Sequence, residues 1–338
     1  MPDPTSPCVI AVAPAWAVVG ARVTLSGRHL SGSGDGPPAV RVGGVAAQLA
    51  MSAPARIGLI VPNGVIRGRH AVTVDGIEGH ADLEVGTPLA TGLHQVDSPV
   101  FAGDGTLYVT FSGTRGQRVP VSVFRVTGEG HKEPFLTDIA NATSMAFDAS
   151  GALHVSSRFD GSVHKVLADG STEIVVRDLG VACGIAFGSD GTMFVGDRSG
   201  TIFRIGSSTH VVPFASLPPS MAAFHLAMGP EDVLFVTGPT LATYDCVYRI
   251  DRLGVVSVIS SEFGRPQGMT VDAEGALYVV DALAGGAGLY RVRQGAAREL
   301  VLAAPALVGA AIDPRGGLVV SSNDTVFRFD VGLRPWRS

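Results

Sequence analysis

What most constrains this chain is a repeat. A four-residue signature recurs six times after residue 88: an apolar residue, an aromatic residue or His, a basic residue, then a second apolar residue. The copies are Val123-Phe124-Arg125-Val126, Val163-His164-Lys165-Val166, Ile202-Phe203-Arg204-Ile205, Val247-Tyr248-Arg249-Ile250, Leu289-Tyr290-Arg291-Val292 and Val326-Phe327-Arg328-Phe329. Their basic residues are 40, 39, 45, 42 and 37 apart. An apolar triplet precedes each copy, from Leu107-Tyr108-Val109 to Leu318-Val319-Val320. Before the triplet comes a turn, commonly Asp-x-x-Gly, as at Asp148–Gly151, Asp272–Gly275 and Asp313–Gly316.

Each unit thus holds four strands: an inner strand, the triplet, the strand with the basic residue, and an outer strand. Outer strands are expected at Pro134–Ile139, Thr172–Leu179, Val211–Leu217, Val256–Phe263 and Ala297–Ala304. The sixth repeat runs out of chain after its third strand. Thr87–His94 reads like an outer strand and would complete it by closing the ring, which hides the sheet edges. The expectation is an all-β chain with a six-bladed β-propeller over 87–338, closed by an N-terminal outer strand. Blades fall at about 95–140, 141–180, 181–220, 221–264, 265–306, and 307–338 plus 87–94. An open solenoid is the alternative. The repeated basic residue reads as structural, since six similar positions surround the ring.

Residues 1–86 read as an immunoglobulin-like β-sandwich. Strands are expected at Val9–Ala13, Arg22–Ser26, Ala39–Val42, Ala46–Met51, Ile57–Val61, His70–Val74 and His80–Val85. Turns such as Gly32–Pro38, Pro62-Asn63-Gly64 and Asp75-Gly76 separate them. The segment resembles IPT/TIG domains. It shares with them Pro14, Gly20 and the run Val23-Thr24-Leu25-Ser26-Gly27, then Val40-Arg41-Val42-Gly43-Gly44, Val61-Pro62 and Ala71-Val72-Thr73-Val74. That resemblance implies an interaction or spacer sandwich.

Composition supports many short strands and excludes several functions. Gly (44) and Pro (21) make up about 19% of the 338 residues, against roughly 12% on average. The net charge is −5, and only Lys132 and Lys165 are lysine, with no basic tract to neutralise nucleic-acid phosphates. No apolar run is long enough to span a membrane as a helix. Three widely spaced cysteines, Cys8, Cys183 and Cys246, argue against a disulfide framework. The N-terminus shows no basic region followed by an apolar run, so a cytoplasmic protein is expected, with a mature secreted form as the alternative.

A site would lie where the inner strands begin, around an upper central mouth. Aligned on turn and triplet, the first ring positions are Asp97, Thr143, Cys183, Phe224, Gln267 and Val308. The next positions are Ser98, Ser144, Gly184, His225, Gly268 and Gly309, so His225 replaces a small residue. Asp97-Ser98-Pro99-Val100-Phe101, Ala182-Cys183-Gly184-Ile185 and Arg265-Pro266-Gln267-Gly268-Met269 resemble segments of the senescence-marker/gluconolactonase/luciferin-regenerating family. The repeats are also similar to NHL-type propellers.

The first of these resemblances implies metal-assisted lactone hydrolysis by a divalent cation, Ca or Zn. Carried over position by position, it leaves Asp97 and Gln267 as metal ligands, with Cys183 and Thr143 where the family has Asn. That shell is thin for a hard cation wanting about six oxygens. Asp97 and His225 are the candidate catalytic pair. Cys183 could join them as a nucleophile, although a channel-lining histidine and an inert buried thiol explain the same residues.

Arg158 and Arg198 share one upper-face offset with Asn323, and Asp197 and Asp281 share the preceding one. These five, with Gln267 and Cys183, are the candidate ligand-binding residues, and the arginines suit an anionic group. The leading expectation is a binding protein that presents an upper central pocket and the sandwich to a small polar ligand or a protein partner. A lactonase-like hydrolase is the alternative, and a structural subunit docking through its sandwich is a third reading.

Overall fold

Alternation builds the sandwich. In Ala81-Asp82-Leu83-Glu84-Val85 the apolar residues are buried and the acids between them are not, the period-2 pattern of a strand with one face on a core. The computed structural model describes residues 6–31, 36–206 and 210–336, so the Gly32–Pro38 turn lies partly outside the described residues. Nine strands belong to the sandwich: β1 (Cys8–Ala13), β2 (Trp16–Ala17), β3 (Arg22–Arg28), β4 (Val40–Val42), β5 (Val45–Ala46), β6 (Gln48–Ala53), β7 (Arg56–Ile60), β8 (Gly68–Val74) and β9 (Ala81–Val85). One sheet has the order β1-β3-β7-β6. The other contains β2-β9-β8-β4-β5. The single strand expected over Ala46–Met51 is divided. The chain changes sheets at Ala47, whose N–H bonds back to Val40 O at 2.9 Å.

Six four-stranded blades follow, and β10 (Thr87–Ala90) supplies the last strand of the sixth. It pairs antiparallel with Val326–Asp330, Thr87 opposite Arg328, closing the ring as expected. The inner strands are Val100–Phe101, Ala142–Phe147, Ala182–Phe187, His225–Met228, Pro266–Val271 and Leu307–Ile312. The second strand of blade 2, Leu153–Ser157, is buried at every position, because neighbouring blades cover both its faces. Hydroxyls in this layer tie blades together: Ser156 Oγ donates to Cys183 O and Thr237 Oγ1 to Gln267 O, each at 2.6 Å.

Four of the six repeated basic residues pair with carboxylates of their own blades. Arg125 pairs with Glu133 on the outer strand at 2.8 Å, Lys165 with the turn carboxylate Asp148 at 3.3 Å, and Arg328 with Asp313 at 2.6 Å. Those turn aspartates also cap their own loops, as Asp148 Oδ1 does for the N–H groups of Ser150 and Ala152.

The sandwich is built into the propeller. Strand β2 pairs in parallel with β9 on one side and with the outer strand of blade 5, Glu299–Ala303, on the other. A nine-stranded sheet results, running from the inner strand of blade 5 to β5. Ala17, Leu83 and Val85 share one apolar cluster with Leu302, Ala303, Leu318 and Phe329. Gly86 sits so close to the Phe329 ring that a Cβ there would lie 2.4 Å from Cζ. The pairing covers what would be an open sheet edge.

Candidate functional site

The upper ring is packed shut. Asp97, Thr143, Cys183, Phe224 and Gln267 are all buried. The second ring explains why. A Cβ on Gly309 would stand 2.4 Å from Ser98 Cα, and one on Gly268 would stand 2.4 Å from Ser98 Oγ. Ser98 Oγ bridges blades 5 and 6, donating to Met269 O at 3.4 Å and accepting from Ala310 N at 3.3 Å. Small residues let the strands approach closely here, and of the six first-ring positions only Val308 is part-exposed. The cavity, about 540 Å³, lies below instead. It runs from Asp97, Ser98 and Ser144 down between the inner strands to Gly103, Asp148 and Pro314, with Trp336 at its rim. This corrects the expected upper pocket: the channel has a blind upper end and opens on the face of the Asp-x-x-Gly turns.

At that blind end the one large residue in the second ring reaches across the axis. His225 in blade 4 donates from Nδ1 to Asp97 Oδ1 in blade 1, directly opposite, at 2.6 Å. The two are only 1% and 5% exposed. Asp97 Oδ1 also accepts the Ser98 N–H at 2.6 Å. With Asp97 ionised the carboxylate only accepts, so Nδ1 carries the hydrogen of this bond. Nε2 is buried and has no partner among the described residues. Asp97 lines the cavity.

The other candidates separate into distinct roles. Cys183 is fully buried and donates from Sγ to Val181 O at 3.2 Å. Burial pushes its thiol up to about 12. The Asp97 and Asp197 carboxylates add to this, while a backbone hydrogen bond at Phe224 and the Arg158 charge oppose it. It is therefore a neutral thiol, not a thiolate nucleophile, at ordinary pH.

Asp281 is held by the N–H groups of Gly264, Arg265 and Leu283 and by Arg298 Nη1 at 2.9 Å. Asp197 accepts from Val181 N at 2.8 Å and from the Ser199 hydroxyl. Asn323 donates to Gln95 O at 2.9 Å. These three brace loops. Arg158 turns inward, donating from Nη2 to Gly113 O at 3.2 Å, and burial lowers its pKa. Its Nε is buried without a partner among the described residues, as are Gln95 Oε1, Ser112 Oγ and His94 Nδ1. Arg198 instead faces a separate cleft between blades 3 and 4, so the two arginines do not converge. Gln95, Ser112 and Trp336 escaped the sequence reading. Ser112 and Gln95 lie in loops outside the repeat, and only the rarity of Trp pointed to the last.

These residues do not fit a divalent cation. One oxygen of Asp97 is committed to His225 and Ser98, Gln267 is neutral, and the Thr143 hydroxyl donates to Asn141 O at 2.8 Å. Among the described residues no three His, Cys, Asp or Glu side chains come together as a metal cluster.

Solved structures share this fold. A gluconolactonase from Xanthomonas campestris superposes with a TM-score of 0.60 at 15% identity, over 78% of this chain and 90% of its own. An auxiliary nutrient binding protein from Bacteroides thetaiotaomicron gives 0.58 at 10% identity, over 96% of this chain and 98% of its own. A catalytically inactive variant of virginiamycin B lyase from Staphylococcus aureus, solved with quinupristin, gives 0.53 at 13% identity, over 96% of both chains. Likeness at such identities establishes the fold alone. No protein-family model matches the chain, and no curated protein matches it in sequence.

Proposed function

We propose that the protein binds a small, hydroxyl-rich molecule in the axial cavity, with Asp97 as the principal polar anchor. The observation that carries this is the blind channel ending on a buried carboxylate held by His225. A cavity of about 540 Å³ is in the range that encloses small ligands. Hydroxyl groups would donate to Asp97, and Ser144 lies beside it on the cavity wall. The nutrient binding protein, which matches nearly the whole chain including the sandwich region, supports a binding role. The sandwich, read as an IPT/TIG-like module, acts in this view as a fixed brace on blades 5 and 6.

A second reading is a hydrolase acting on a lactone or related ester, favoured by the unpartnered Nε2 of His225. An imidazole with Nδ1–H on a carboxylate and Nε2 bare is arranged as a general base. Calorimetry against monosaccharides, polyols and sugar lactones, with turnover of the lactones followed in parallel, tests both. Saturable binding without turnover, weakened at least tenfold in Asp97→Asn, is expected. Lactone turnover lost in His225→Ala would favour the hydrolase. Neither binding nor turnover in the whole panel overturns both readings.

A further inference from the structure

Arg198 was expected beside Arg158, yet it stands over its own cleft of about 750 Å³ on the upper face, between the loops of blades 3 and 4. The walls are stiff. Pro218 and Pro219 fix one lip. The Ser220 hydroxyl, buried, donates toward Ala223 O at 3.0 Å and Pro239 O at 3.1 Å, and Met221 N donates to Pro239 O at 2.7 Å. Thr240 on the opposite lip is pinned by Asp245 at 2.6 Å.

Two features of this cleft are unexplained by folding. Its lips expose apolar side chains, Met221 at 51% and Leu241 at 86%. Its one cation is also uncompensated. Arg198 donates from Nε to Ser220 O at 3.3 Å and forms no ion pair among the described residues. Neighbouring Asp197 also lines the cleft, but it is buried, its oxygens accept from Val181 N–H and the Ser199 hydroxyl, and it makes no direct ion pair with Arg198 among the described residues.

We infer that this cleft is a second binding site, for a small amphiphile carrying one carboxylate. The free edge of the Arg198 guanidinium receives the carboxylate, and Pro218, Pro219, Met221 and Leu241 hold the apolar body. A preformed cleft with apolar walls and a single exposed charge, that of Arg198, suits such a molecule better than a polyol or a neutral lipid. The site is independent of the axial cavity, which ends below the closed upper ring.

Titration calorimetry with decanoate and its neutral amide, decanamide, on the full chain tests this. Decanoate should bind the wild type at least about tenfold more tightly than decanamide does, and Arg198→Gln should remove that difference. Arg198→Lys should keep part of it, and Met221→Ser with Leu241→Ser should weaken both ligands. Trp336→Ala, at the rim of the axial cavity, should change neither. Unaltered melting temperatures establish that the exposed substitutions leave the fold intact. The proposal is overturned if decanoate does not bind, if Arg198→Gln binds it as the wild type does, or if Trp336→Ala abolishes binding.

Discussion

Removing either member of the His225–Asp97 pair should have unequal effects on stability, and the inequality tells whether the pair is kept for folding or for function. Asp97→Ala takes the acceptor from two buried donors, His225 Nδ1–H at 2.6 Å and Ser98 N–H at 2.6 Å. A buried donor left unsatisfied costs about 1–3 kcal/mol. Asp97 lines the cavity, so water can reach part of the space it leaves. The expected loss is therefore toward the lower end for two such groups, about 2–3 kcal/mol. His225→Phe keeps a planar ring in the same space. It removes one hydrogen bond to a charged acceptor, worth about 1.5–3 kcal/mol net, and also removes the orphaned Nε2, whose burial already costs about 1–3 kcal/mol. Asp97 keeps its Ser98 partner and its contact with the cavity. The net change should be near zero.

At about 2–4 °C per kcal/mol for a large domain, Asp97→Ala should melt about 4–12 °C below the wild type. His225→Phe should melt within about 3 °C of it, by the same scaling. Scanning calorimetry on the two variants and the wild type measures both. A His225→Phe variant that loses as much as Asp97→Ala would refute the reasoning. The pair would then be a strut across the channel, and the proposed axial site would lose its main support.

Other outcomes follow from the same structure. With its thiol pushed up to about 12, Cys183 should resist iodoacetamide in the native protein at pH 8, while the half-buried Cys8 and Cys246 react; mass spectrometry of the alkylated protein reads this, and labelling of Cys183 at a comparable rate would contradict its burial. Deleting residues 1–86 should give aggregated protein and not a soluble propeller, because β2 covers the outer edge of blade 5 and side chains of β2 and β9 share its apolar cluster; a monodisperse truncated chain in size-exclusion chromatography would contradict that. Burial depresses the pKa of His154 and of His164, so the unfolded chain binds more protons than the folded one below about pH 6.5. Stability should therefore be full above that pH and decline as pH falls through it, and His154→Phe, whose ring can keep the contact with Phe187, should flatten the decline in urea midpoints.

The architecture was legible because each blade must solve the same problem. Four strands need an inner residue, a turn, a triplet and an outer edge, and the chain writes this six times. The missing outer strand of the sixth copy even pointed to Thr87–His94 as the closing segment, and β10 lies within it. Strand β2 was not legible. Two residues carry no periodicity, and Trp16 opposite Leu302 is a parallel pairing between the two ends of the chain. Nor was the meeting of Asp97 and His225, which are 128 residues apart and one ring position out of step. Only ring closure and the narrow upper end bring opposite blades within hydrogen-bonding distance. The direction of the cavity was hidden for the same reason, since Gly268 and Gly309 look like any other strand glycines until Ser98 is packed against them.

The ring itself offers a criterion for separating scaffold from site. Where an upper-face group recurs around the repeat, the structure shows it bracing a loop: Asp197 and Asp281 share an offset, and both are held by backbone N–H groups. Where a residue departs from its counterparts, local packing does not account for it. His225 stands where the other blades use Ser or Gly, and its Nε2 is unsatisfied. Arg158 and Arg198 share an offset, but one turns into the buried upper end and the other stands exposed over a largely apolar cleft with no ion pair among the described residues. Six-fold repetition makes the blade fold robust to single departures, because each blade is supported on both sides by its neighbours. A propeller can therefore carry an unsatisfied histidine at one position and an exposed arginine at another without losing its ring, and those two departures are where ligand chemistry is best sought.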